Sequence, residues 1–213
     1  MLNKQKGNIN KIRKANHVVV NNSLYEFVEG LLLGDGTLST QRHNVSAYFE
    51  NADKRLNYLE WLSNQLDRKG LKQSRQIYPM KSVKNGAFKY KTLTYFELGK
   101  IRKKWYAKKE KQIPLNFKIT PVKLKYWYIG DGNFSDVPLI DSSIFSFDSL
   151  INVSLQLKKI GIEHTLREFK DRKRIRISKK SERLFFKYIL SDDKHIPNGY
   201  EYKFPKEVVK NGS

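Results

Sequence analysis

Residues 28–38 read VEGLLLGDGTL, and residues 125–134 read KYWYIGDGNF. Each is an apolar run with helical character that ends in Gly-Asp-Gly, the two aspartates being Asp35 and Asp131. The first helix starts at Asn22-Ser23, good N-cap residues, with Glu26 three beyond Ser23 as in a capping box, and spans Leu24 to Leu33. The second starts at Thr120-Pro121, a cap followed by proline at the first helical position, and spans Val122 to Ile129.

One such ending can be a plain stop signal, since glycine takes the left-handed conformation and aspartate favours turns. Three features argue for more. Aspartate has the wrong charge for a helix C-terminus. The apolar run of 24–33 implies a buried helix whose end meets another element. Gly30 and Gly34, four apart, cost the helix about 1 kcal/mol each but make a flat stripe on which the helix at 122–130 can lie closely. Side by side, the two helices bring Asp35 and Asp131 together with the carbonyls of Gly34 and Gly130. Such an all-oxygen acidic site suits divalent cations, Mg²⁺ foremost. Paired metals held by carboxylates hydrolyse phosphodiesters.

What surrounds the motifs is also doubled. NVSAYFEN alternates like a strand, and DKRLNYLEWLSNQLDRKG is helical up to Gly70. RQIYPM and FKYKTLTYFEL are strand-like, and KIRKKWYAKKE is helical. In the second half LIDSSIFS is strand-like and DSLINVSLQLKKIG is helical up to Gly161. HTLREFK and RKRIRIS form a hairpin, and SERLFFKYILS is helical. Each half thus reads as αββαββα give or take one strand, with Lys-x-Ile-Pro at 111–114 and again at 194–197. The expected organisation is a basic arm over 1–21, a first repeat over 22–116 and a second over 117–213, an α+β fold. The opening residues suit a flexible arm better than a targeting signal.

Composition names the partner class. The chain has 213 residues, 42 Lys+Arg against 21 Asp+Glu, and a net charge of +21. Hydrophobic residues make up 39%, enough for a folded core. Residues 1–116 carry 23 basic and 9 acidic side chains, and the remainder 19 and 12, so the positive surface spans both halves. A folded domain this basic attracts nucleic acid. Absence of cysteine removes disulfides, thiolate metal sites and thiol catalysis. No run is long enough to span a membrane.

On the strands, Arg174, Arg176 and Ser178 share one face opposite Ile175 and Ile177, with Arg167 on the partner strand. Arg75, Gln76, Tyr78, Lys89 and Lys91 are their candidates in the first half, where FKYKTLTYF carries apolar residues on both faces. These are the candidates for nucleic-acid contact, arginine suiting guanine and glutamine adenine. His17, His43, His164 and His195 are scattered without ligand spacing and read as structural or surface residues. Trp61, Trp105 and Trp127 read as core.

The paired segments resemble the LAGLIDADG motifs of single-chain, two-motif homing endonucleases. VEGLLLGDG (28–36) and LKYWYIGDG (124–132) align with the motif and place Asp35 and Asp131 at its metal-binding acidic position. Tyr126 departs from the pattern, standing where the family has a small residue. The resemblance extends from about residue 22 to 206 and includes TPVKLKYWYIGDG. EKQIP and YKFP are similar to segments that carry an active-site lysine, which maps onto Lys111 and Lys203. The resemblance implies two αββαββα repeats with the motif helices at their interface and antiparallel sheets forming a saddle over DNA. It implies a monomer that makes Mg²⁺-dependent double-strand cuts in a long asymmetric site, with two or three ions shared by Asp35 and Asp131. It implies a role in intron or intein mobility. Alternatives on the same fold are an RNA maturase acting on a group I intron and an inactive DNA-binding regulator. Heavy Lys, Asn and Ile usage suits an AT-rich genome, a mitochondrion or chloroplast ahead of a bacterium or phage.

Overall fold

The computed structural model describes residues 15–40, 45–80, 86–107 and 110–210. Its first half runs α1 (Asn22–Leu33), β1 (Thr37–Thr40), β2 (Ala47–Asp53), α2 (Leu56–Arg68), β3 (Tyr78–Pro79), β4 (Phe88–Lys91), α3 (Phe96–Trp105) and a small hairpin, β5 (Tyr106–Ala107) with β6 (Glu110–Lys111). The second half repeats the plan with α4 (Pro121–Asp131), β7 (Gly132–Phe134), β8 (Pro138–Asp141), α5 (Phe147–Ile160), β9 (His164–Phe169), β10 (Arg172–Ile177) and α6 (Glu182–Ile189), followed by α7 (Lys206–Lys210). Strand order is β1-β2-β4-β3 in one sheet and β7-β8-β10-β9 in the other, with antiparallel pairing throughout. The same order twice is the doubled α+β architecture expected from the repeats.

Helices α1 and α4 pack directly on each other because glycine leaves room. A Cβ on Gly30 would stand 3.0 Å from Lys123 Cα and 3.1 Å from Tyr126 Cβ. One on Gly34 would stand 3.3 Å from Gly130 Cα, and one on Gly130 3.1 Å from Gly34 Cα. Tyr126 is tolerated because Gly30 lies opposite it. Its ring leaves the contact sideways, edge-on to Phe27 at 4.6 Å and stacked on Trp61 at 6.0 Å. The interface also buries a charge pair, Lys123 Nζ lying 2.7 Å from Glu29 Oε2.

Several expectations require correction. Helix α1 is capped by Asn21, whose side chain accepts from Leu24 N at 2.9 Å, so Ser23 and Glu26 form no capping box. Neither motif glycine beside the aspartates is left-handed, with φ −96° at Gly34 and −78° at Gly132. The motif glycines are glycine for space: a Cβ on Gly34 would lie 3.3 Å from Gly130 Cα, one on Gly36 2.6 Å from Leu31 O, and one on Gly132 2.2 Å from Tyr128 O. The left-handed caps occur at Gly70 and Gly161, both at φ 90°, as their positions at helix ends predicted. Residues 16–18 are not a free arm. Asn16 bridges to Tyr95, and Glu97 accepts from Val18 N at 3.1 Å and lies 2.9 Å from His17 Nδ1. Residues 1–14 of the expected arm, and His43, lie outside the described residues. Trp105 and Trp127 are fully buried, but Trp61 is half-buried and stacks on Tyr58, Tyr126 and His195. No helix among the described residues is long and apolar enough to cross a membrane.

Candidate active site at the paired helix ends

The close approach of Gly34 to Gly130 puts Asp35 and Asp131 at adjoining helix ends. Asp131 is the last residue of α4, whereas Asp35 lies two residues beyond the end of α1. Both line an open cleft of about 830 Å³, together with Lys111, Gln112, Ser143 and Lys173. Loss of hydration raises Asp131 to about 7, helped by repulsion from Asp35 and opposed by Lys111 and Lys203. Asp35 is raised above its ordinary carboxylate range by the same partial dehydration, which Lys203 opposes and Asp53 reinforces. Two carboxylates that resist ionising together form a site that gains from a cation.

Each aspartate has a lysine, and the two are arranged alike. Lys111 Nζ donates to the carbonyls of Gly34 (2.9 Å) and Gly36 (2.8 Å). Lys203 Nζ donates to Ile129 O (2.6 Å) and Gly130 O (2.8 Å). Burial brings each ammonium down to about 8, although both aspartates pull the other way. Lys111 enters on the β5–β6 hairpin, paired with Tyr106. Lys203 ends a 3₁₀ turn, Glu201–Lys203. The counterpart of Lys111 is therefore Lys203 and not Lys194, despite the repeated Lys-x-Ile-Pro. The aspartate-to-lysine intervals become 111 − 35 = 76 and 203 − 131 = 72 residues.

Among the described residues no three His, Cys, Asp or Glu side chains converge as a metal cluster. The potential donors here are the two carboxylates and the carbonyls of Gly34 and Gly130. Each of those carbonyls already accepts one lysine hydrogen bond and keeps a second lone pair. All are hard oxygen donors, which fits Mg²⁺-type ions that complete their shell with water and substrate phosphate.

The strand residues divide by partner. In the second sheet Arg174 faces Asp141 on one side and Arg167 on the other, and Arg176 faces Leu139 and Thr165. Arg167 and Arg176 are exposed, and Ile175 and Ile177 are buried, as the alternation requires. Arg174 Nε lies 3.8 Å from Asp141. Ser178 does not share this surface. It follows the strand, and its hydroxyl caps the next turn by accepting from Ser181 N. In the first sheet Tyr90 points inward while Lys89 and Lys91 flank it, 3.0 and 3.3 Å from Glu50. The apparent two-faced pattern resolves because β4 ends at Lys91: Phe88 and Tyr90 share the inward face, and Leu93 and Tyr95 reach the core from the chain beyond the strand. Arg75 and Gln76 precede β3, which holds only Tyr78 and Pro79, and the Arg75 guanidinium lies 3.7 Å over the Tyr78 ring. Glu50 and Asp141, which partner these cations, were missed by sequence reasoning. Their place in strands, opposite lysine and arginine, was the available signal. The described histidines lie outside the cleft: His17 is 2.9 Å from Glu97, His164 lies 2.7 Å from Ser154 and His195 stacks on Trp61.

Known proteins share this fold. The structure of the homing endonuclease I-WcaI bound to its DNA recognition sequence superposes with a TM-score of 0.71 at 19% identity, covering 84% of either chain. I-DmoI in complex with DNA and Mn gives 0.54 at 16% identity, over 79% of this chain and 96% of that one. The N-terminal LAGLIDADG domain of DUF199/WhiA gives 0.52 at 16% identity, over 81% of this chain and 86% of that one. An uncharacterised protein of Methanocaldococcus jannaschii, MJ1098, is 28% identical over 120 residues, 54% of this chain. The chain spans less than half of that relative's length, 46%. The profile of the LAGLIDADG DNA endonuclease family matches residues 25–185, the span that holds both motif helices and both sheets, and the chain belongs to that family.

Proposed function

We propose that the protein is a site-specific DNA endonuclease that cuts both strands of a long asymmetric duplex with divalent metal ions, Mg²⁺ by preference, and so serves intron or intein mobility. The carrying observation is the paired site: Asp35 and Asp131 at two helix ends held together through Gly34 and Gly130, with one lysine on each side. Structures of I-DmoI with Mn, Ca and Mg support a divalent ion here.

Asp35 and Asp131, with one lone pair each from Gly34 O and Gly130 O, would hold the ions. Bound metal would supply charge for an activated water and for the leaving oxygen of each strand. The chain's own residues do the rest. Lys111 and Lys203 fix the motif carbonyls and place positive charge where phosphate charge builds up. The outward faces of the two sheets give Arg167, Arg174, Arg176, Tyr78, Lys89 and Lys91 access to a duplex laid across them as on a saddle. A surface charge of +21 supplies the salt-dependent part of affinity. Two divergent faces suit an asymmetric target read by one monomer.

The test is cleavage of a randomised duplex library containing the candidate insertion site, in Mg²⁺ and then in Ca²⁺, with Asp35→Asn and Asp131→Asn beside wild type. Double-strand cuts in Mg²⁺, lost in either variant while binding in Ca²⁺ persists, are expected. Selective binding with no cutting by wild type would refute the enzyme. Preference for group I intron RNA over DNA would point to a maturase instead.

A further inference from the structure

Lys203 belongs to the second half, yet the segment that delivers it is fastened to the first. Tyr200, three residues earlier, is buried, and its hydroxyl donates to Asp53 Oδ2 at the end of β2. Its ring packs on Tyr58 of α2 at 4.7 Å. The Arg55 guanidinium lies over both Tyr200 (4.8 Å) and Tyr202 (5.3 Å) and 3.5 Å from Asp53. Gly199, at φ 88°, lets the chain pass: a Cβ there would meet Arg55 Cδ at 2.9 Å. The Lys203 ammonium in turn sits 5.1 Å over the Tyr200 ring, and Lys203 N donates to Tyr200 O at 3.0 Å. One tyrosine thus touches both the first-half carboxylate and the second-half lysine.

Lys111 is delivered differently. Its hairpin is paired within the first half, and the chain after it docks on α5 through neutral amides, Gln156 bonding Phe117 O and Ile119 N. The two lysines are alike at their tips and unlike in their supports.

We propose that Asp53 and Tyr200, steadied by Arg55, form a latch between the halves that positions Lys203 and so controls one of the two strand cuts. This rests on the endonuclease reading for its consequence, but not for the latch itself. Asp53 and Tyr200 are positioning residues: they act through Lys203, and their loss displaces it without removing it. Small displacements of a charge aimed at a reacting phosphate cost one to two orders of magnitude in rate.

Two measurements on the full chain test it. In the first, hydrogen exchange compares wild type with Tyr200→Phe, which keeps the ring and removes the hydroxyl. Amides of 199–204 should exchange about tenfold faster or more, the cost of a lost charge-assisted bond, with those of 110–113 and 115–117 unchanged. Unchanged exchange in 199–204, or a uniform rise across the chain, overturns the latch whether or not the protein cuts DNA. In the second, a supercoiled plasmid carrying the duplex that wild type selects is followed for nicked and linear products. Tyr200→Phe should accumulate the nicked form, one strand slowed at least tenfold and the other not. In a Lys203→Met background the same substitution should add nothing. Equal slowing of both strands, or an undiminished effect without Lys203, overturns the positioning role. A wild type that cuts no duplex refutes the endonuclease reading and strand control with it, while hydrogen exchange still decides the latch.

Discussion

Removing Lys123 or Glu29 should each destabilise the protein more than removing both. Glu29 is 2% exposed and Lys123 5%, so neither charge reaches water. The carboxylate takes Lys123 Nζ at 2.7 Å on one oxygen and Trp105 Nε1 at 3.1 Å on the other. The ammonium also donates to Lys118 O at 2.8 Å. Breaking such a pair from one side costs about 3–5 kcal/mol because the remaining charge is stranded. Residual partners on both sides favour the low end, about 3 kcal/mol for Lys123→Met and the same for Glu29→Gln. Replacing both by methionine removes both charges and keeps volume in place. What remains is an orphaned indole N–H on Trp105 and an unpaired carbonyl on Lys118, about 2 kcal/mol together. Urea unfolding reads this directly: with a slope of about 2–3 kcal/mol per molar, each single variant should lose about 1–1.5 M in midpoint and the double about 0.7–1 M. A double variant as weak as the two singles combined would refute the reasoning and show that each side chain acts through packing alone. If the pair also fixes how α1 slides on α4, the double variant will be stable yet slow to cut, since both aspartates ride on that contact.

Gly130→Ala places a methyl 3.1 Å from Gly34 Cα and 3.2 Å from Asp35 N; overpacking of about 1–3 kcal/mol outweighs about 1 kcal/mol of helix propensity, and thermal melting should show a net loss accompanied by loss of cutting. Metal affinity should climb as pH rises from about 6 to 8, because Asp131, at about 7, must lose its proton to bind; calorimetry in buffers of different ionisation enthalpy should count the released proton. In the metal-free protein the raised Asp131 favours the folded state at low pH and loses that advantage as pH rises through 7, so Asp131→Asn should gain on wild type between about pH 4 and 7, by about 1–2 kcal/mol in urea midpoints. Arg176→Ala, exposed on the second sheet, should weaken specific DNA binding by about 1–3 kcal/mol, whereas Lys89→Ala should cost less because that charge is already shared with Glu50.

The motif helices were legible because their signals are local. Asparagine or threonine caps, apolar runs and Gly-Asp-Gly all fall within sixteen residues, 21–36 and 120–132, and the stripe of Gly30 and Gly34 has no purpose unless a second backbone lies against it. The outer face of β10 was legible for the same reason: alternation at Ile175 and Ile177 leaves the arginines no other side. The glycines' conformation was not legible. A left-handed stop and a steric vacancy both demand glycine, and only the coordinates of Leu31 O and Tyr128 O distinguish them. Ser178 failed likewise, because a strand's last outward residue and a turn's first cap are the same serine until the turn is seen.

The lysines mark where repetition in sequence stops predicting repetition in space. Lys-x-Ile-Pro occurs twice, but only the first copy reaches a motif helix. The second site is served by Lys203, which carries Phe-Pro after it and is held by Tyr200 and Asp53 across the interface. A lysine at each site needs only its ammonium on the motif carbonyls. The backbone that brings it there is free to differ, provided something holds it. In the first half a paired hairpin does this; in the second the Tyr128 hydroxyl holds Lys203 O at 2.5 Å from within the repeat, and Tyr200 ties the same turn to Asp53 of the other repeat. On the endonuclease reading the two proposed strand cuts share a chemistry and a cleft but not a support, so a single substitution in the support of one should separate them.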